Sequence, residues 1–289
     1  MPGGVRLNKV IDLLEQGKTV FCGGLVHNGN LDEVVEMADS DYDFCIIETE
    51  HEGFGFPALR NTIQHFLNRK RILEKGNLQP DVVPLVRIPP NAREAGSNQW
   101  VIKQTLDVGA FGLVLPHLNT VEEARAAVVA SRYPQVPGVA DFYPEGERGW
   151  SNRLAVRFWG ISTTEYHDVA DLWPLDPDGE VLIMAIIEEA QGVKNVRDIL
   201  RAEKGIGAVW AGPGDLSVSM GKRGNARDPE VQEALLRVLE ACKEFDVPCA
   251  TGATAADVEQ RIEQGFRIII APLAKVDDAL RTGRKAAGR

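Results

Sequence analysis

The feature that most constrains this chain is a rhythm. Short apolar runs are each followed by a stretch of helical periodicity, eight times over. Strands are predicted over residues 20 to 26, 42 to 50, 82 to 88, 112 to 118, 181 to 188, 207 to 214, 248 to 252 and 267 to 273. Runs such as Leu182-Ile183-Met184-Ala185-Ile186-Ile187 are apolar at every position, as strands buried on both faces of a parallel sheet must be. Helices are predicted over 7 to 16, 57 to 73, 120 to 132, 190 to 203, 228 to 245 and 254 to 264, with others after the first and third strands and a basic one reaching Arg289. The first of these is expected to close the bottom of a barrel. Alternating strand and helix builds a parallel sheet, and eight units favour closure into a (β/α)8 TIM barrel of class α/β. No Gly-x-Gly-x-x-Gly follows the first strand to argue for an open nucleotide-binding sheet. Residues 1 to 289 are expected to form one domain, broken by a long irregular connection at about 133 to 180 that reads as a lid or an interface.

Composition narrows the partners. A net charge of −10 and a pI near 5.1 disfavour nucleic acid and anionic membrane, so an anionic substrate needs local positive groups. Cys22, Cys45, Cys242 and Cys249 form no Cys-x-x-Cys pair and read as buried hydrophobes in a reducing compartment. The N-terminus lacks the apolar core of a signal peptide, and no run approaches the ~20 residues of a membrane span. A cytoplasmic protein is expected.

Ligands of α/β barrels bind at the C-terminal strand ends. There the sequence places His27, Glu48, Glu50, His51, Arg87, His117, Glu188, Glu189, Asp215 and Ser217. Glu188 and Asp215 follow apolar runs in adjacent units, whose ends lie roughly 5 Å apart. They form a candidate pair for one hard divalent cation, Mg²⁺, Mn²⁺ or Co²⁺. The alternative is that both cap the following helices. Arg87 inside a strand is costly to bury without an anion; it either stabilises a developing enolate or carbonyl oxygen, or forms a structural salt bridge with Glu48 or Glu50. His51 is a candidate proton shuttle. Glu50 and Glu189 read as structural or supporting residues, and a structural role is the better reading for His27 and His117. Gly212-Pro213-Gly214-Asp215 is either a tight turn or a place where backbone N–H groups meet a substrate carboxylate. No lysine lies within a predicted strand, Lys275 being the nearest, so metal-assisted enolisation fits better than a Schiff base.

The chain resembles the metal-dependent class II aldolases of the HpcH/HpaI family, which act on 4-hydroxy-2-oxoheptanedioate and related acids. The resemblance runs from about residue 7 to 275. It rests on Glu50-His51, Pro84-Leu85-Val86-Arg87, Lys103-Gln104-Thr105-Leu106-Asp107-Val108-Gly109-Ala110, Glu122-Glu123-Ala124-Arg125, Ser131-Arg132-Tyr133-Pro134 and Gly212-Pro213-Gly214-Asp215-Leu216-Ser217. It implies a pyruvate-type barrel whose last helix is exchanged between subunits of a hexamer, a trimer of dimers. It further implies a divalent metal on Glu188 and Asp215, Arg87 at the ketone oxygen, His51 moving protons while oriented by Asp107, and the backbone of Gly214 and Asp215 on the substrate carboxylate. The family's Asp-Gly-Glu-His stands here as Glu48-Thr49-Glu50-His51, the segment around 70 to 81 is longer, and 135 to 180 match poorly.

The function expected is reversible cleavage of a 4-hydroxy-2-oxo acid to pyruvate and an aldehyde through a metal-bound enolate. The alternatives are an oxaloacetate decarboxylase, an enolate-using synthase of the macrophomate synthase kind, or a non-catalytic barrel. Determinants for the aldehyde are expected in residues 135 to 180 and in the loop after the first strand.

Overall fold

Strands apolar at every position need cover on both faces, and this chain supplies it by closing its sheet and wrapping it with helices. The computed structural model describes residues 5–90, 99–271 and 278–289. In chain order the elements are α1 (Lys9–Glu15), β1 (Val20–His27), α2 (Leu31–Ala38), β2 (Phe44–Glu48), α3 (Phe56–Gln64), α4 (Arg69–Lys75), β3 (Val83–Arg87), α5 (Gln99–Asp107), β4 (Gly112–Leu115) and α6 (Val121–Ser131). They continue with α7 (Arg153–Trp159), α8 (Thr163–Val169), β5 (Leu172–Trp173), β6 (Val181–Ile187), α9 (Ala190–Ala202), β7 (Ala208–Ala211), α10 (Pro213–Ser219), α11 (Pro229–Glu244), β8 (Cys249–Gly252), α12 (Val258–Gln264), β9 (Ile268–Ile270) and α13 (Ala279–Ala286).

All pairings are parallel, in the order β1-β2-β3-β4-β6-β7-β8-β9 and back to β1, which closes an eight-stranded barrel. The two-residue β5 lies outside this ring, beside the first residues of β6. Every residue of β2, β3, β4 and β6 is buried. Each such Val, Leu, Ile or Phe contributes roughly 1.5–3 kcal/mol. At the start of β4 only glycine fits, because a Cβ on Gly112 would stand 2.2 Å from the Leu182 carbonyl oxygen.

Three expectations are corrected. The helix predicted over 57 to 73 is two helices, α3 and α4; the second is formed largely by the segment that lengthens this region. The connection at 133 to 180 is not irregular throughout, since it contains α7, α8 and β5. Phe158, Trp159 and Tyr166 pack inward while Tyr143 and Trp150 stay exposed, and Trp159 stacks on Phe111 at 4.4 Å and donates its indole N–H to the Gly109 carbonyl. This connection is also at the wrong end of the barrel for a lid. The Trp173 indole N–H donates to Glu15 of α1, and Glu180 accepts the Leu7 and Asn8 N–H groups, at the N-terminal end of β6. Helix α1 closes that end, as expected, with Asn8 donating to the Phe111 and Glu180 carbonyls.

Within one chain α13 lies against its own barrel, where Gly283 leaves room for the Phe21 ring. The C-terminus is fastened to Asp43, fully buried just before β2. That carboxylate accepts the Phe21 N–H at 3.0 Å and pairs with Arg289 at 2.7 Å and Lys9 at 3.3 Å. Burial alone would push its carboxyl up, but the Arg289 hydrogen bond and the charge of Lys9 hold it below the usual value. Lys275 lies outside the described residues. Among the described residues no helix is long and apolar enough to cross a membrane.

Candidate active site

Register alone gathers the first half of the site. His27 of β1 pairs with Glu48 of β2, and Glu48 with Arg87 of β3, so three polar side chains stand level at adjacent strand ends. An irregularity between Cys22 and Leu25 shifts β1 by one residue to reach this alignment. Glu48 and Arg87 are 3% and 8% exposed and ion-paired. The other Glu48 oxygen accepts the N–H groups of Glu50 at 2.6 Å and His51 at 3.3 Å, which shapes the turn leaving β2. Arg87 Nε lies 3.3 Å from Glu50, and the exposed His51 ring lies 3.3 Å from the same carboxylate. Burial, with the nearby charges of Glu48 and Asp215, pushes the Glu50 carboxyl up against the opposing pull of Arg87 and His51. The salt-bridge reading of Arg87 holds. The residue also lines a cavity of about 160 Å³ with Leu25, Val26, His27, Glu48, His51 and Glu52.

The second half comes from β4, β6 and β7. Glu188 follows β6 and is 5% exposed; one of its oxygens accepts the His117 N–H at 2.8 Å. Its carboxyl is pushed up to about 7, first by burial and then by the charges of Asp215 and Glu50. Asp215 projects from the first turn of α10. Neither α9 nor α10 has a side-chain cap, so the capping alternative for Glu188 and Asp215 finds no support. Gly212 lets β7 pass close to this group: a Cβ there would lie 3.1 Å from Glu188 Cβ. Gly214 is open, with no atom within 4 Å of the position its Cβ would take, and its carbonyl accepts the Ser217 hydroxyl.

The structure agrees with a hydrogen-bonded structural role for His117, whose ring nitrogens lie 2.9 Å from Glu189 and 3.5 Å from Glu50. Asp107 ends α5, a helix that runs back from the strand ends toward the opposite rim. There it pairs with buried Arg148 at 2.9 Å, and one chain does not bring it to His51. His27 sits at the edge between Glu33 and Glu52, and hydrogen bonding to Glu33 raises its affinity for a proton.

The pattern of the HpcH/HpaI aldolase/citrate lyase family matches residues 27–271. The chain belongs to that family. A 5-keto-4-deoxy-D-glucarate aldolase of Citrobacter koseri is 30% identical over 258 residues, which is 89% of this chain and 86% of the relative. Among solved structures, an HpcH/HpaI aldolase/citrate lyase family protein of Burkholderia cenocepacia is 26% identical with a TM-score of 0.74, over 96% of this chain and 97% of that one. Macrophomate synthase is 25% identical with a TM-score of 0.66, over 98% of this chain and 87% of that one.

As a member of the HpcH/HpaI family the protein is a carbon–carbon lyase of the aldolase type, and the group it requires is a divalent cation. Glu188 and Asp215 fit one: they are hard oxygen donors, burial and then the Asp215 charge raise the Glu188 carboxyl, and no guanidinium is paired with either among the described residues. Another acidic group exists elsewhere, with oxygens of Asp141, Asp171 and Asp176 within 4.8 Å of one another. It is the poorer site. The fully buried Arg132 guanidinium already bonds Asp171 at 2.7 Å and Asp141 at 2.8 Å, at the other end of the barrel.

Proposed function

We propose that the strand-end cluster cleaves a 4-hydroxy-2-oxo acid to pyruvate and an aldehyde, with Glu188 and Asp215 holding Mg²⁺, Mn²⁺ or Co²⁺. The observation that carries this reading is the Glu188 carboxylate, buried beside Asp215 and Glu50 with no lysine or arginine paired to it in the described residues and the His117 ring standing off at 3.7 Å. When bound, the cation supplies Lewis-acid polarisation of the 2-oxo acid. Backbone N–H groups at Gly214 and Asp215 receive the substrate carboxylate. His51 takes the C4 hydroxyl proton, the C3–C4 bond breaks to release the aldehyde, and its electron pair forms the C2–C3 enolate. Arg87 stabilises charge on the C2 oxygen, and a proton delivered to C3 gives pyruvate. Glu50, 3.3 Å from His51, takes the orienting role that resemblance assigns to Asp107. Within one chain residues 135 to 180 lie at the opposite end of the barrel from this cluster, whereas Leu25, Val26, His27 and Glu52 line the cavity beside Arg87. A hexamer built as a trimer of dimers belongs to the same reading, and sedimentation tests it.

The test is proton exchange at the methyl group of pyruvate in D₂O, followed by NMR with protein stripped of metal and then loaded. Loaded protein is expected to exchange and stripped protein not to; equal rates in both would overturn the metal role. The likeness to macrophomate synthase supports a second reading, use of the same enolate after loss of CO₂ from oxaloacetate. Assaying one loaded preparation with oxaloacetate and with 4-hydroxy-2-oxo acids separates the two.

A further inference from the structure

Resting on the metal reading above, we propose that His117 is a positioning residue that presets the cation site, fixing Glu188 through its main chain and spanning Glu189 and Glu50 with its imidazole. His117 follows β4 with φ +56°, a left-handed conformation uncommon for a residue with a side chain. In that conformation its N–H donates to Glu188 Oε1 at 2.8 Å. The same turn sends the ring across the barrel mouth, where Nδ1 meets Glu189 Oε1 at 2.9 Å and Nε2 faces Glu50 Oε1 at 3.5 Å. These carboxylates come from the ends of β6 and β2, which β3 and β4 separate. Only a group with polar atoms on opposite edges can meet both, and imidazole is such a group.

The turn is braced from behind. Asn119 donates to the His117 carbonyl at 3.1 Å, and the Thr120–Glu123 capping box fixes the start of α6. Glu188, Glu189, Glu50 and Asp215 repel one another before any cation arrives, so something must hold them in place in its absence. Arg87 holds the Glu48 and Glu50 side of the mouth. His117 holds the Glu188 and Glu189 side and ties it to Glu50, which leaves the second Glu188 oxygen for the ion. Groups that orient metal ligands in this way typically account for 10- to 100-fold in affinity.

The test separates ring from backbone. His117→Gly and His117→Asn both tolerate φ +56° and keep the N–H to Glu188, but neither side chain spans the two carboxylates. Mn²⁺ binding is measured without substrate by electron paramagnetic resonance, with metal-free melting curves as the control for folding. Both variants are expected to bind Mn²⁺ 10- to 100-fold more weakly than wild type while folding normally. His117→Gln, which can reach one carboxylate, is expected to recover part of the loss. In a Glu189→Gln background His117→Gly should cost much less. Affinity within about twofold of wild type in either folded variant overturns the proposal and leaves the metal reading standing. Failure of wild type itself to bind Mn²⁺ overturns both.

Discussion

Replacing Glu188 by glutamine should stabilise the metal-free protein, and only at high pH. The carboxyl moves from 4.5 to about 7 on folding, so the folded state holds this proton more tightly than the unfolded one. Stability tied to it is therefore complete below pH 4.5, is lost as pH rises through about 7, and stays lost above. At about 1.4 kcal/mol per pH unit the loss is roughly 3 kcal/mol, and a side chain 5% exposed is little screened by solvent. Glutamine keeps the shape and still accepts the His117 N–H, but it carries no charge to press against Asp215 and Glu50. In chelator at about pH 8 the variant should melt higher by roughly 6–12 °C, taking about 2–4 °C per kcal/mol for a chain of this size. At about pH 4.5 the two proteins should melt together. Manganese at 100 times its dissociation constant should then stabilise wild type by about 2.7 kcal/mol and the variant not at all, closing the gap. Calorimetry at both pH values with and without Mn²⁺ measures all four states. Equal midpoints at pH 8 in chelator, or an advantage that does not change with pH, would refute the reasoning.

Other perturbations test separate parts of the site. Arg87→Ala leaves Glu48 and Glu50 buried without their guanidinium and should cost about 3–5 kcal/mol in urea unfolding, together with pyruvate methyl exchange. An unchanged unfolding midpoint would argue that water replaces the ion pair. Gly212→Ala puts a Cβ 2.9 Å from Ile186 and 3.1 Å from Glu188, so it should cost roughly 1–3 kcal/mol and weaken Mn²⁺ binding at least about tenfold. Full affinity would mean Glu188 does not need its present position. Asp43→Asn keeps an acceptor for the Phe21 N–H but strips the counter-charge from Arg289 and Lys9, with an expected loss of about 3–5 kcal/mol and faster carboxypeptidase trimming of the C-terminus.

Most of the architecture was legible because parallel strands leave a local trace. A strand buried on both faces must be apolar throughout, and its end is marked by the first polar residue, as at Glu48, Arg87 and Glu188. The boundaries were less so: the 42 to 50 run stops pairing at Glu48, and the 112 to 118 run at Leu115, because pairing depends on the neighbour's length as well as on the strand's own residues. The connection at 133 to 180 hid two helices of seven residues each, too short for periodicity to stand out among the prolines and glycines. Its place at the N-terminal rim was nevertheless implied by the order of elements, since it follows α6 and precedes β6.

The site divides in the same way. Sequence alone determined that Glu48, Arg87, Glu188 and Asp215 lie at strand ends, because chain order and strand direction suffice to send those residues to one rim. The same rule applied to α5 would have sent Asp107 to the other rim, and the structure puts it there beside Arg148. What only tertiary structure decided is which of the gathered groups touch. The role of His117 depends on a left-handed turn at one residue and on a register carried across β2, β3, β4 and β6. Neither is written in local sequence, because a backbone dihedral and a cross-barrel distance are fixed by the closure of the whole sheet.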